Sequence, residues 1–287
     1  MVENLKDFIG GTMGGISQVL TGQPFDIIKV RQAASGKAGA SSFEIASSIF
    51  KQEGPLAFWK GSVPPLVGVG ACVSIQFGVV ENTKRLLSSI RNGDLKTSDF
   101  FLCGAIGGAS NTVISAPAEH FRIRMQVQGK VDPRGDPFYK SDLDCIKSIY
   151  NKYGMKGAYK GFMVTMLREA CTFGTYFGIY EFIVRNYLIP EGGTKDDVAA
   201  WKLFMAGGIC GFFYWGPWYP VDALKSKLQS DSLANPRYKG SFDCISQTLK
   251  AEGIGGFYRG FVPCILRAFP ANASTFLAYE LTMRAIK

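Results

Sequence analysis

An eight-residue phrase occurs three times in this 287-residue chain. It reads Pro24-Phe25-Asp26-Ile27-Ile28-Lys29-Val30-Arg31, then Pro117-Ala118-Glu119-His120-Phe121-Arg122-Ile123-Arg124, then Pro220-Val221-Asp222-Ala223-Leu224-Lys225-Ser226-Lys227. Each copy has a proline, an acid two residues on, and bases five and seven residues on. A second phrase follows each copy. It is Glu53-Gly54 with Trp59-Lys60-Gly61, then Tyr153-Gly154 with Tyr159-Lys160-Gly161, then Glu252-Gly253 with Tyr258-Arg259-Gly260. The period is close to 100 residues. Two phrases repeated in the same order make the chain three copies of one unit, and its fold must repeat one local structure three times. The copies divide as residues 1–93, 94–192 and 193–287.

Each unit has an apolar span up to the proline, a polar segment, and a second apolar span. Phe8–Phe25, Pro64–Val80, Phe100–Ala118 and Leu203–Val221 hold no charged residue. Phe162–Tyr180 and Phe261–Tyr279 hold only Arg168, Glu169 and Arg267. These spans run 17 to 19 residues, long enough to cross a bilayer as helices. A soluble amphipathic helix keeps a charged face, which these spans lack. Composition alone is silent, since 47% hydrophobic is ordinary. Six membrane-crossing helices in three hairpins is the reading that the distribution supports.

Charge placement orients them. The polar segments that open on the motif acid (26–60, 119–160 and 222–259) carry 20 of the 32 Lys and Arg against 12 acids. The opposite loops and the termini carry 10 of each. All three polar segments therefore lie on one side. Within them, Phe43–Phe50, Leu143–Tyr150 and Phe242–Leu249 repeat an amphipathic pattern and read as short helices at the interface. In the first spans Gly11 and Gly15, Gly104 and Gly108, and Gly207 and Gly211 form GxxxG pairs for close helix packing, within one chain or between two.

Several chemistries are excluded. The seven cysteines are odd in number, scattered, and without a CxxC pair, so they read as reduced, small apolar residues. One histidine, His120, cannot build a common zinc site or a Ser-His-Asp hydrolase. No metal site is expected. The opening Met-Val-Glu-Asn-Leu-Lys-Asp fits neither a secretory signal nor an Arg-rich transit peptide, so targeting is expected to be internal.

The motif proline removes a helical hydrogen bond and predicts a kink. Acid and base three residues apart could pair within their helix. Threefold repetition allows another pairing, the acid of one repeat with the base of the next. That would join Asp26, Glu119 and Asp222 to Lys29, Arg122 and Lys225 in a ring. Such a ring at membrane depth is a gate, provided it is only a few kcal/mol deep.

Charge within a span is costly and marks function. Arg168 and Arg267 stand about one repeat apart, with Gly68 at the equivalent place. Two guanidinium groups suit a carboxylate. Glu169 suits an ammonium, unless it serves only as a buried partner for Arg168. Gln76, Tyr176 and Asn272 are further candidates to line the site.

The tripled Pro-x-[Asp/Glu]-x-x-[Lys/Arg] motif, with the Gly-x4-aromatic-base-Gly phrase after each copy, resembles the mitochondrial carrier family over the whole chain. Within it, Gly68–Ser74, Glu119–Arg124, Arg168-Glu169 and Leu266–Asn272 are most similar to the fungal Ymc-type carriers, grouped with the carnitine/acylcarnitine and ornithine carriers. The resemblance implies an all-α membrane protein of six transmembrane helices in three pseudo-threefold repeats, with three short matrix-side amphipathic helices. It implies the inner mitochondrial membrane and alternating access to one central site. Gln126 and Gln229 match the glutamine that braces the family's matrix gate, while Ala33 stands at the first repeat's equivalent place. Glu81 with Lys84, Glu181 with Arg185, and Glu280 with Arg284 resemble a cytoplasmic gate, although two of them are spaced at four residues instead of three. Gly54 with Lys60, Gly154 with Lys160, and Gly253 with Arg259 match places where the family binds cardiolipin phosphate, an anion that helix-start amides and a base attract. Tyr153 departs from the acid usual there. The expectation is a monomeric carrier of a small carboxylate-bearing metabolite, amino-acid-like, with no enzyme activity and no cofactor. An organic-acid carrier and a non-transporting membrane scaffold are the alternatives. His120, beside Glu119, is either a pH-sensing group or polar packing.

Overall fold

The six apolar spans fall in helices. A computed structural model describes residues 2–34, 41–93, 95–128, 138–190 and 197–285. Among them no strand occurs. Five spans lie in α1 (Val2–Ala34), α3 (Val63–Ile90), α4 (Thr97–Val127), α6 (Phe162–Ile183) and α10 (Phe261–Ala285). The remaining span is divided between α7 (Ala200–Trp215) and α8 (Tyr219–Ser230). Three shorter helices follow the motifs: α2 (Ser42–Glu53), α5 (Asp142–Ala158) and α9 (Ser241–Glu252). These coincide with the three amphipathic segments read from the sequence.

Burial is inverted relative to a soluble protein. Phe269 and Val67 are 84% and 79% exposed, whereas Arg168 and Glu169 are 5% and 4% exposed. Thr112, Thr165 and Thr172 are buried as well. Apolar side chains facing outward and polar ones facing inward is the arrangement that hydrocarbon solvent selects. By length and hydropathy α4 alone passes as a single membrane-crossing helix among the described residues. The α1 span carries more Gly, Thr and Gln than that of α4, which a helix can hold when it packs against neighbours.

The prolines act differently in the three copies. Helices α1 and α4 run through Pro24 and Pro117. In the third copy the helix breaks earlier, at Gly216-Pro217-Trp218, and Pro220 lies in the first turn of α8, where its missing N–H costs nothing.

The helices share out into two compact units, neither of which is a sequence repeat. The first comprises Met1–Gly70, Ser115–Gly161 and Ala223–Lys287, and so contains all three amphipathic helices. In it α1 packs along α10. Gly14 faces Thr275, and Gly22 faces the Arg267 side chain. Gln18 donates to Asn272 Oδ1 at 3.4 Å. Each amphipathic helix buries its inner face beneath a motif. Ile49 and Ala57 pack with Ile27, while Cys145, Ile149 and Ala158 pack with Phe121 and Met125. The outer row, Phe43, Phe50, Leu143, Tyr150, Phe242 and Leu249, is exposed. Helix starts are capped by side chains in two copies: Ser41 accepts from Glu44 N–H, and Ser141 from Asp144 N–H.

The second unit comprises Ala71–Ile114 and Phe162–Asp222. Here α4 lies against α6. A Cβ on Gly104 or Gly108 would strike the backbone carbonyl of Phe173 or Glu169. Of the three GxxxG pairs expected to pack helices, this one does so. Gly11 and Gly211 have open space around a built Cβ among the described residues. The tight glycines of α1 are Gly14 and Gly22 instead.

Candidate functional site

The motif bases reach across repeats. In the first unit Arg122 of α4 pairs with Asp26 of α1 at 2.5 Å, and Lys225 of α8 pairs with Glu119 of α4. In both pairs the acid of one copy meets the base of the next, and local pairing is not what holds these two. Lys29 belongs to the first unit and Asp222 to the second, and both are buried.

The bracing residues differ from expectation. Gln229 Nε2 donates to the Lys160 carbonyl. The Gln126 side-chain amide makes no hydrogen bond among the described residues; its backbone carbonyl accepts from Arg31 Nε at 2.7 Å. Gln23, which sequence reasoning missed, touches the Asp26–Arg122 pair. Its Oε1 accepts from Arg122, and its Nε2 donates to the Lys60 carbonyl at 2.7 Å. Gln23 precedes only the first proline, with Ala116 and Tyr219 in the other copies, so repetition gave no signal for it.

The mid-span charges sit against the same motif acids. Arg267 Nε is 3.3 Å from Asp26 Oδ1 in the first unit. In the second, Arg168 pairs with Glu169, and its Nε lies 3.7 Å from Asp222 Oδ1. Gly68, in the first unit, has open space where a Cβ would stand, among the described residues. The candidate site residues are thus divided, Gly68 and Arg267 in one unit, Arg168 and Glu169 in the other. Of the further candidates, Asn272 accepts from Gln18, and Gln76 is buried. Tyr176 joins a group of aromatic rings on α6 and α7.

A further layer of charge lies beside the amphipathic helices. Glu53 binds both Arg31 and Lys60, and Glu252 binds Lys227 and Arg259, at 2.8 and 2.9 Å. Burial pushes the Glu53 carboxyl upward, but hydrogen bonds from Arg31 and Lys60 outweigh it and leave the group below its ordinary value. The second copy has Tyr153 where the others have glutamate. There Arg124 and Lys160 both donate to the Asp231 carbonyl, and Lys160 Nζ lies 3.6 Å from its carboxylate. An acid supplied by the third repeat stands in for the one missing from the second.

These pairings engage Lys60, Lys160 and Arg259, the bases expected to meet lipid phosphate. The glycines beside them have a different role in the backbone. Gly54, Gly154 and Gly253 have φ of 88°, 63° and 64°, and Gly61, Gly161 and Gly260 have φ of 76°, 79° and 85°. Only glycine adopts this region readily, so the tripled phrase is a pair of left-handed turns that brings the chain from amphipathic helix to spanning helix.

At the far ends of the second spans, Glu181 pairs with Arg185 at 2.6 Å, as expected. Glu81 pairs instead with Arg85 at 3.5 Å, one helical turn on, while Lys84 sits 5.4 Å from the Phe100 ring centre. Arg284 is exposed on α10, and the Glu280 side chain lies outside the described residues.

His120 occupies the core position held by Ile27 and Ala223 in the other copies. It is fully buried. Arg124 Nε can only donate, so His120 Nε2 is the acceptor, and Nδ1–H donates to the Ala158 carbonyl at 3.2 Å. Both nitrogens are engaged by one neutral tautomer, which favours polar packing over proton sensing.

Comparison with known proteins bears on the whole chain. The pattern described as "Mitochondrial carrier protein" matches residues 2–91, 93–190 and 196–287. The mitochondrial glycine transporter YMC1 of Saccharomyces cerevisiae is 41% identical over 98% of this chain and 92% of its own length. The glutamate/glycine mitochondrial carrier ymc1 of Schizosaccharomyces pombe is 41% identical over 99% of this chain and 96% of its own length. The mitochondrial basic amino acids transporter of Homo sapiens is 40% identical over 96% of this chain and 89% of its own length.

Proposed function

Because this chain belongs to the mitochondrial carrier family, we propose that it carries an amino acid across the inner mitochondrial membrane by alternating access. The observation that carries the amino-acid reading is the pair Arg168 and Glu169, buried side by side in an otherwise uncharged span. A guanidinium takes a carboxylate, and a carboxylate takes an ammonium. This pair gives the zwitterionic end common to all amino acids partners of both signs, and Arg267 is proposed as a further substrate-binding residue. The carrier makes and breaks no covalent bond.

The Asp26–Arg122 and Glu119–Lys225 pairs are the proposed matrix gate, with Asp222 and Lys29 as its third members. Arg267 and Arg168 each lie beside a gate acid. A substrate carboxylate would draw each arginine from that acid, which gives substrate different affinities for closed and open states. Glu81, Lys84, Glu181, Arg185, Glu280 and Arg284 are proposed to close the other side. The glycine turns at 54, 154 and 253 are proposed cardiolipin sites on a monomeric carrier. Their exposed apolar neighbours, Leu56, Met155 and Ile254, support contact with lipid.

The test is uptake of labelled glycine, lysine, glutamate and an organic dicarboxylate into cardiolipin-containing liposomes that hold the purified protein. Amino-acid uptake is expected. Uptake of the dicarboxylate alone would replace this reading with an organic-acid carrier, and inactivity toward all four would favour a scaffold.

A further inference from the structure

Above Glu169 on α6, aromatic rings continue along one face. Glu169, Phe173, Tyr176 and Tyr180 are spaced four, three and four residues apart, which keeps them on one helical stripe. Tyr176 and Tyr180 lie parallel, 7° between planes and 6.4 Å between ring centres. Tyr214 of α7 meets this stripe edge-on, 6.4 Å from Tyr176 and 5.3 Å from Phe173. Trp218, in the break after α7, donates from Nε1 to Thr175 Oγ1 of α6 at 2.9 Å. All of these residues belong to the second unit, and the three tyrosines are only partly buried.

We propose that Tyr176, Tyr180 and Tyr214 form the side-chain subsite of the carrier, and that this subsite takes the cationic end of a basic amino acid. The inference rests on the amino-acid reading above. With the zwitterionic end at Arg168 and Glu169, a substrate side chain that follows the α6 stripe runs along the tyrosines. The ring faces are electron-rich and attract an ammonium or a guanidinium. The three phenol oxygens can accept hydrogen bonds, which a lysine or arginine side chain supplies and an aliphatic one does not. The stripe itself carries one formal charge, that of Glu169, and it is negative. A glycine would leave the whole wall unused.

The experiment measures initial uptake of labelled lysine and glycine by the full-length protein in liposomes, for the wild type, Tyr176→Ala, Tyr176→Phe and Tyr180→Ala. Both alanine variants should raise the lysine KM about tenfold more than the glycine KM, the size expected for one partly desolvated cation–ring contact. Tyr176→Phe should keep most of the lysine preference because the ring remains. Equal losses for lysine and glycine in the alanine variants would make the wall mere helix packing and overturn the inference. So would a Tyr176→Phe that behaves like Tyr176→Ala. Should Tyr176→Ala fail to fold, Tyr180→Ala, at the outer end of the stripe, decides. A wild type that carries glycine but neither lysine nor arginine would overturn this inference alone. A wild type that carries no amino acid would overturn the amino-acid reading and this inference with it.

Discussion

Arg267 Nε lies 3.3 Å from Asp26 Oδ1, and both side chains are largely withdrawn from solvent. One guanidinium in mid-span thus touches the acid that Arg122 also holds. Arg267→Ala should abolish amino-acid uptake, since in the proposed cycle the arginine exchanges Asp26 for substrate. It should lower the melting temperature only modestly, because Arg122 still pairs with Asp26. Arg122→Ala should cost more, about 1–3 kcal/mol, because it removes the shorter contact and also leaves Gln23 Oε1 without its donor. Thermal unfolding in detergent measures both, and equal melting temperatures for the two variants would contradict the geometry.

Glycine substitutions should separate packing positions from open ones. Gly108→Ala places a Cβ against the Glu169 carbonyl and should destabilise by about 1–3 kcal/mol. Gly11→Ala meets open space and should be neutral, or stabilising by less than about 1 kcal/mol through helix propensity. The two melting temperatures, read side by side, decide.

Asp231 should matter in the way that Glu53 and Glu252 do. Asp231→Ala removes the carboxylate beside Lys160 and the acceptor for the Arg237 and Tyr238 backbone N–H groups, at about 2–4 kcal/mol. Tyr153→Glu, which places an acid where the other copies have one, should recover part of that loss. Tyr153→Phe should be neutral, since the buried Tyr153 hydroxyl makes no hydrogen bond among the described residues. A melting series of the four proteins checks all three.

Glu53 is held below its ordinary value near 4.5 by Arg31 and Lys60. Its stabilisation is therefore complete above that value and lost as pH falls through the lower, folded one. Glu53→Gln should melt below the wild type at pH 7, and the gap should close below about pH 4.5. A gap that persists unchanged at pH 3 would show that the pairing is not what stabilises the protein.

Burial pushes the Cys145 thiol up to about 12 and the Cys244 thiol up to about 11. The thiolate is the reactive form, so neither cysteine should react with a maleimide at pH 7 in the folded protein. Both should label when the protein unfolds on heating. Mass spectrometry of labelled peptides below and above the transition tests this.

Much of the architecture was legible because membrane solvent imposes simple rules. Uncharged runs of sufficient length become spanning helices. A tripled motif forces a tripled unit. Glycines in a tripled phrase mark left-handed turns. Charges stranded in apolar spans, Arg168, Glu169 and Arg267, stand out against their surroundings. All of these are properties of local sequence, and the amphipathic helices fell where their patterns ended. Partner choice was not legible, because several partners satisfy one spacing and only the fold sets which comes near. The pairing of Asp26 with Arg122 instead of Lys29, Gln23 touching that pair in place of Gln126, Glu81 bound to Arg85, and Asp231 supplying the acid that Tyr153 cannot were settled by tertiary packing. An ion pair depends on a few ångströms between residues that can be about 100 positions apart, and no local pattern encodes that distance.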